Sequence, residues 1–166
     1  MTKLMKVSGL TMDPYSNTPI IILKEVNGER SLPIWIGLLE ATSIATQLEN
    51  IEFPRPMTHD LIKNLISHLG IHVERVEVCD LKDNTFYALI YLQEGDKVSK
   101  IDARPSDAIA IALRTQSPIY VSETVIEMSK GLETVKGKAE LTDEEAKKWT
   151  EILESLNPED FGKYKM

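Results

Sequence analysis

The residues whose types and spacing could do chemistry gather in two short segments. Thr58-His59-Asp60 sets an imidazole and a carboxylate at the opening of a helix, directly after a stiff loop that carries Arg55. Asp102-Ala103-Arg104-Pro105-Ser106-Asp107 places two carboxylates, a guanidinium and a hydroxyl at a strand-to-helix junction. Free N–H groups at a helix start attract anions, and arginine grips a phosphate through two parallel hydrogen bonds. Each segment also has a plainer reading. Thr58 and Asp60 suit first-turn capping and the positive end of the helix dipole, and Arg104 paired with an Asp would merely fix the junction.

Other chemistries fall away. The eight glycines are scattered, and none opens a phosphate-binding loop of either common spacing or a nucleophile elbow. His68 and His72 are four apart, but Gly70 between them ends the helix that would align them as zinc ligands. Cys79 follows Val76 and Val78 in an alternating strand with no basic neighbour, so it reads as structural rather than nucleophilic.

The elements that must position these groups alternate between periods of two and 3.6. Residues 3–12 read as a strand, and Ile20-Ile21-Ile22-Leu23 is a continuous apolar run that wants cover on both faces. Asn27-Gly28 predicts a tight hairpin into a return strand over 29–36, where Pro33 favours an edge or a bulge. From Leu38 the period becomes helical. Ala41, Ile44, Ala45 and Leu48 form a buried face, and Glu40, Ser43, Gln47 and Asn50 lie on another.

Phe53-Pro54-Arg55-Pro56 cannot continue that helix. Thr58 is expected to cap the next one, whose stripe is Leu61, Ile62, Leu65, Ile66 and Leu69 and whose end is Gly70. Strands over 71–80, 85–93 and 97–103 make an antiparallel meander. A third helix opens at Pro105, apolar nearly all round from Ala108 to Leu113, and is expected to be the most buried. A short strand at 118–121 and a weak helix over 123–129 close the main domain. Residues 130–141 read as a loop, and Thr142 to Glu145 is a capping box ahead of an amphipathic helix with Trp149, Ile152, Leu153 and Leu156. The expected fold is α+β: a mainly antiparallel sheet, hairpin plus meander, packed with three or more helices, over 1–129, with 130–166 as a loop and C-terminal helical appendage.

At 166 residues the chain suits one domain with a short appendage. Hydrophobic residues at 42% suffice for a real core, which argues against wholesale disorder. A net charge of −7 repels phosphates and anionic membranes at long range, so a polyanion partner needs a local basic site or a bound cation. One cysteine excludes an intrachain disulfide and multi-cysteine metal sites, and it fits a reducing compartment. With no apolar leader or membrane span in view, a cytoplasmic location is expected.

Five blocks, taken in order, carry a resemblance: Leu32-Pro33-Ile34-Trp35-Ile36-Gly37 with Glu40-Ala41; Arg55-Pro56-Met57-Thr58-His59-Asp60-Leu61; Asp83-Asn84-Thr85-Phe86-Tyr87-Ala88; Asp102 to Ile109; and Pro118-Ile119-Tyr120-Val121. Over about residues 5–125 the chain resembles the bifunctional nuclease domain family. The resemblance implies a compact α+β domain, found in bacteria and plants, some of whose members cleave both DNA and RNA. Some relatives add a C-terminal UVR helical hairpin. The tail here, 142–166, reads as a different and shorter helix.

Phosphodiester hydrolysis needs water activated by a metal or base, and positive charge near the phosphate. The expected catalytic group is therefore His59, Asp60, Asp102 and Asp107, with Arg55, Arg104 and Ser106 binding substrate. Asp60, Asp102, Asp107 and Glu40, with Asp83 as a further oxygen donor, are the expected ligands for Mg2+ or Mn2+, whose charge would invert the local acidic field. The two junctions are expected side by side. The competing reading is a non-catalytic binding or scaffold module, such as an anion or small-ligand sensor. A homo-oligomer, with a dimer favoured, is expected because a strand-rich short domain has an edge to bury.

Overall fold

A computed structural model describes residues 1–136, with side chains described to Lys130. The elements run β1 (Thr2–Met12), β2 (Pro19–Glu25), β3 (Ser31–Trp35), α1 (Leu38–Leu48), α2 (Thr58–His68), β4 (His72–Lys82), β5 (Thr85–Glu94), β6 (Lys97–Ala103), α3 (Pro105–Thr115), β7 (Ile119–Ser122) and α4 (Glu123–Lys136). The seven strands form one sheet in the order β3-β2-β1-β7-β4-β5-β6. Every pairing is antiparallel except that of β4 with β7. The fold is α+β, as expected.

Hairpin and meander form as read, but neither pattern foretold how they join. β7 returns after α3 and slots between β1 and β4, pairing Met5 with Ile119 and Val76 with Ile119 from opposite sides. The chain crosses from β6 to β7 through α3, which packs on β4 and β5, while α1 packs on β2 and on α3. β2, flanked by β1 and β3, buries all four of Ile20 to Leu23, as a continuous apolar run demands. Pro33 sits on β3, a sheet edge, where its missing N–H costs no ladder bond on the outer side.

α3 is the central helix, with Ala108 to Ala112 all buried. Pro105 occupies its first turn, where no N–H is needed, and Gln116 ends it in the left-handed conformation. In β4 the core face is Val76 and Val78, and a bulge at Cys79 then shifts the alternation so that Leu81 is the next to be buried. Cys79 is half-buried, burial raises its thiol pKa, and its sulfur donates to the Tyr87 carbonyl, which agrees with a structural role.

Several local readings change. The β2–β3 connection is a wider loop over 26–30 rather than a two-residue turn. Arg30 forks onto both Glu25 carboxylate oxygens at 2.9 Å and also reaches Glu123 and Glu127 of α4, which holds the loop open. The tight hairpin is instead at Asp83-Asn84, both with positive φ, where Lys82 pairs with Thr85. In α2 the cap is Met57, one residue early, and only Ile62 and Ile66 of the stripe are half-buried; Leu61, Leu65 and Leu69 are exposed. Gly70 follows the helix with φ +71°, the conformation glycine adopts most readily. α4 continues through 130–136, expected to be loop, and buries Val125 and Ile126 in the main core. The amphipathic segment with Trp149, Ile152, Leu153 and Leu156 lies outside the described residues.

Candidate active site

Three helices deliver the site. α1 presents Glu40 and Ser43 one turn apart, α2 presents His59 and Asp60 in its first turn, and α3 presents Asp107 near its start and Arg114 two turns later on the same face. Arg104, the residue before α3, completes the set. Where α2 and α3 open, the two junctions meet: His59 Nε2 lies 2.8 Å from Asp107 Oδ1.

From that bond a relay runs both ways. His59 Nδ1 is 2.7 Å from Ser43 Oγ. Asp107 Oδ2 accepts from Arg104 Nε at 2.8 Å, and Arg104 Nη1 donates to Glu40 Oε1 at 2.7 Å. Four side chains from three helices and Arg104 from the junction before α3 thus form one chain, Ser43–His59–Asp107–Arg104–Glu40. The Glu40 carboxylate folds back so closely over Gly37 that a Cβ there would collide with it, so the helix start must be glycine for this rotamer.

Behind the relay stands a second pair. Arg114, only 5% exposed, donates from Nε to Asp60 Oδ1 at 2.6 Å, from Nη1 to the Ala110 carbonyl and from Nη2 to the Ser43 carbonyl. Asp60 Oδ2 accepts the Met57 N–H at 2.9 Å, so the capping reading of Asp60 is realised along with an ion pair. Burial alone would raise the carboxyl pKa of both acids. The Arg114 bond and the Met57 N–H outweigh it at Asp60, and Arg104 and His59 outweigh it at Asp107, so both are held below the usual carboxylate range. The Asp107 carboxylate in turn raises the pKa of Arg104.

The relay lines a cavity of about 780 Å3. Glu40, Ser43, His59, Asp102, Arg104, Asp107 and Arg114 supply its polar wall, while Leu39, Phe53, Ile62, Ile66, Leu92 and Ile101 make most of the rest apolar. Arg104, with 65% of its side chain exposed, stands at the mouth; His59 is buried.

Of the residues expected at the site, His59, Asp60, Asp107 and Arg104 come together, and Asp102 lines the same cavity from the end of β6. Two do not. Arg55 is exposed on the loop before α2 and is not part of the cavity wall, and Ser106 is buried at the α3 start outside that wall. The expected metal set does not gather either. Glu40 and Asp107 are held by Arg104, Asp60 is held by Arg114, and Asp83 sits in the β4–β5 turn. Among the described residues no three His, Cys, Asp or Glu side chains are grouped to hold an ion.

Ser43 and Arg114 were not anticipated as site residues. Each left a trace: Ser43 is one turn from Glu40 on the polar face of α1, and Arg114 is a lone charge seven residues after Asp107 in an otherwise apolar helix.

An α+β domain whose three helix starts converge on a histidine–aspartate relay beside an exposed arginine is the class that fold and site define. The bifunctional nuclease domain family matches residues 21–133, and the chain belongs to that family. An uncharacterized protein of Mycobacterium tuberculosis is 43% identical over 162 residues, covering 95% of this chain and 96% of that one. Bifunctional nuclease 2 of Arabidopsis thaliana is 30% identical over 119 residues, and Bifunctional nuclease 1 of Oryza sativa subsp. indica 28% over 119. Those matches cover 69% and 70% of this chain but 36% of each plant protein. Among the described residues, no helix is long and apolar enough to cross a membrane.

Proposed function

We propose that the cavity between α1, α2 and α3 is a site of phosphodiester hydrolysis acting on DNA and RNA. The observation that carries the reading is the 2.8 Å bond between His59 and Asp107, which seats a proton-accepting imidazole in the cavity wall beside Arg104. Asp107 fixes the ring and stabilises its protonated form. Arg104 is the phosphate-binding group: by releasing Glu40 it can turn its fork to a substrate at the mouth while Asp107 still holds Nε. The apolar walls around Phe53 and Ile62 suit the face of an unstacked base. The plant relatives named bifunctional nucleases support a nuclease reading.

Glu40, Asp60 and Asp107 are held by guanidinium groups, so the reaction is written without a metal. Purified protein incubated with single- and double-stranded DNA and with RNA, with Mg2+, with Mn2+ and with a chelator, tests the reading. Cleavage should follow the protein through purification, persist in chelator and fall at least about 100-fold in His59→Asn. Activity that separates from the protein on a sizing column would refute it.

The largely apolar wall favours a second reading, a sensor that closes on a small apolar anion without turning it over. A thermal shift with such ligands, and no cleavage in the assay above, would select it. We also propose a cytoplasmic homodimer. β6, which has one neighbour in the described sheet and is exposed along most of its length, is the strand placed to pair across copies, and light scattering on the pure protein measures the state.

A further inference from the structure

Both ring nitrogens of His59 are already engaged. Nε2 faces Asp107, whose carboxylate accepts only, so when the ring is neutral its proton sits on Nε2 and Nδ1 is the acceptor for the hydroxyl of Ser43, whose Oγ lies 2.7 Å away. A general base can remove only a proton that reaches its free lone pair. Here that proton is the hydroxyl proton of Ser43, not one of a free water.

Resting on the hydrolytic reading above, we propose that Ser43 is the nucleophile and that the reaction passes through a seryl phosphodiester. Ser43 lines the cavity and sits one helical turn from Glu40, the residue that holds Arg104 at the mouth. Its position in the middle of α1 fixes its backbone, and the Arg114 bond to its carbonyl ties that turn to α3. A group so held has little freedom to lose on reaching an attack geometry.

In the first step Ser43 Oγ forms a bond to phosphorus and gives its proton to His59 Nδ1. The bond from phosphorus to the leaving oxygen breaks on the opposite side, toward the open mouth, and that oxygen takes its electron pair and a proton from solvent. Asp107 stabilises the imidazolium, and Arg104 balances the charge on the phosphoryl oxygens. In the second step water attacks phosphorus and releases one proton to solvent. The Ser43–phosphorus bond breaks, and Oγ recovers its proton from His59. The products are an alcohol and a phosphate monoester, and water is the sole co-reactant.

The test uses the full chain and bis(p-nitrophenyl) phosphate, with a sulfonyl fluoride as an independent probe of the hydroxyl. Rapid mixing should give a burst of nitrophenol close to one per chain, and acid-quenched intact mass with peptide mapping should place a p-nitrophenyl phosphoryl group on Ser43. The sulfonyl fluoride should modify Ser43 in the wild type and at least about 100-fold more slowly in His59→Asn, since that change removes the base. Ser43→Ala should lose burst and adduct, and Ser43→Cys, which keeps a nucleophile at the same atom, should regain an adduct.

Cleavage by the wild type that persists in a folded Ser43→Ala, without an adduct, would overturn the nucleophile while leaving the hydrolytic reading in place. Sulfonylation of Ser43 that depends on His59, in a protein that cleaves no phosphodiester, would support the activated serine and refute the phosphodiester substrate instead. Failure of both probes to mark Ser43 would overturn the proposal outright.

Discussion

Arg114 Nε lies 2.6 Å from Asp60 Oδ1, and this bond ties the last turn of α3 to the first turn of α2. Without it α2 would meet the core through Ile62 and Ile66 and the His59 relay, since its leucines face outward. Arg114→Met should therefore destabilise the fold by about 2–3 kcal/mol. That is less than the ~3–5 kcal/mol for breaking a fully buried pair, because Asp60 is a third exposed and water can reach it. Denaturant unfolding measures the loss, and a change under about 0.5 kcal/mol would show that α2 is held in some other way.

Arg104 behaves differently because it is exposed. Exposed pairs contribute ~0–1 kcal/mol, so Arg104→Lys should leave the melting temperature within about 4 °C of the wild type. The planar fork is lost, however, and phosphodiester cleavage should fall about tenfold or more, mainly through KM. A parallel fall in melting temperature and activity would mark Arg104 as a structural strut.

Ile109 is fully buried and Ile111 is 3% exposed, both on the helix that supports the site. Either changed to Ala should cost ~2–5 kcal/mol, the usual range for emptying a core position. Calorimetry or denaturant titration reads this directly. Losses below about 1 kcal/mol at both sites would contradict the central placement of α3.

Asp13 is held at about 2, first by the Tyr15 N–H and then by the Trp35 indole N–H at 3.0 Å, both donating to its carboxylate. A depressed carboxyl pKa stabilises the fold above the unfolded value near 4, and that contribution is lost as pH falls through the folded value. Stability should thus decline between about pH 4 and pH 2, and Asp13→Asn should both lower the neutral-pH melting temperature and flatten that part of the profile. Thermal melts from pH 2 to pH 7 check it; an unchanged slope would assign the acid sensitivity to other groups.

Much of the fold was legible because its signals are local. Ile20 to Leu23 announces a strand covered on both faces, Pro105 a helix start, and Asp83-Asn84 a turn, since each depends on a few adjacent residues. The position of β7 was not legible. Strand pairing at a distance is decided by which edges remain uncovered, and no residue in Ile119–Ser122 states that Met5 and Val76 will flank it. At the site, the two junctions that carry His59 and Asp107 could be set side by side in advance because both open helices after a loop or strand, but the bond between those two residues could not. Ser43 and Arg114 lie inside helices, where side-chain function is masked by helical period, so geometry was needed to find them. Likewise Glu40 and Asp60 could not be seen as guanidinium partners until Arg104 and Arg114 were placed.

The late arrival of β7 has a cost in time. β1 precedes the other six strands in the chain, yet its neighbour at Ile119 is 114 residues downstream of Met5, and until that neighbour is made β1 and β4 each present a bare strand edge. A nascent chain halted before Ile119 would hold two half-sheets with matching adhesive rims, the geometry from which strand-swapped aggregates grow. Refolding from denaturant should accordingly be slow for so small a protein and should improve on dilution, because the rim of one copy competes for the partner of another.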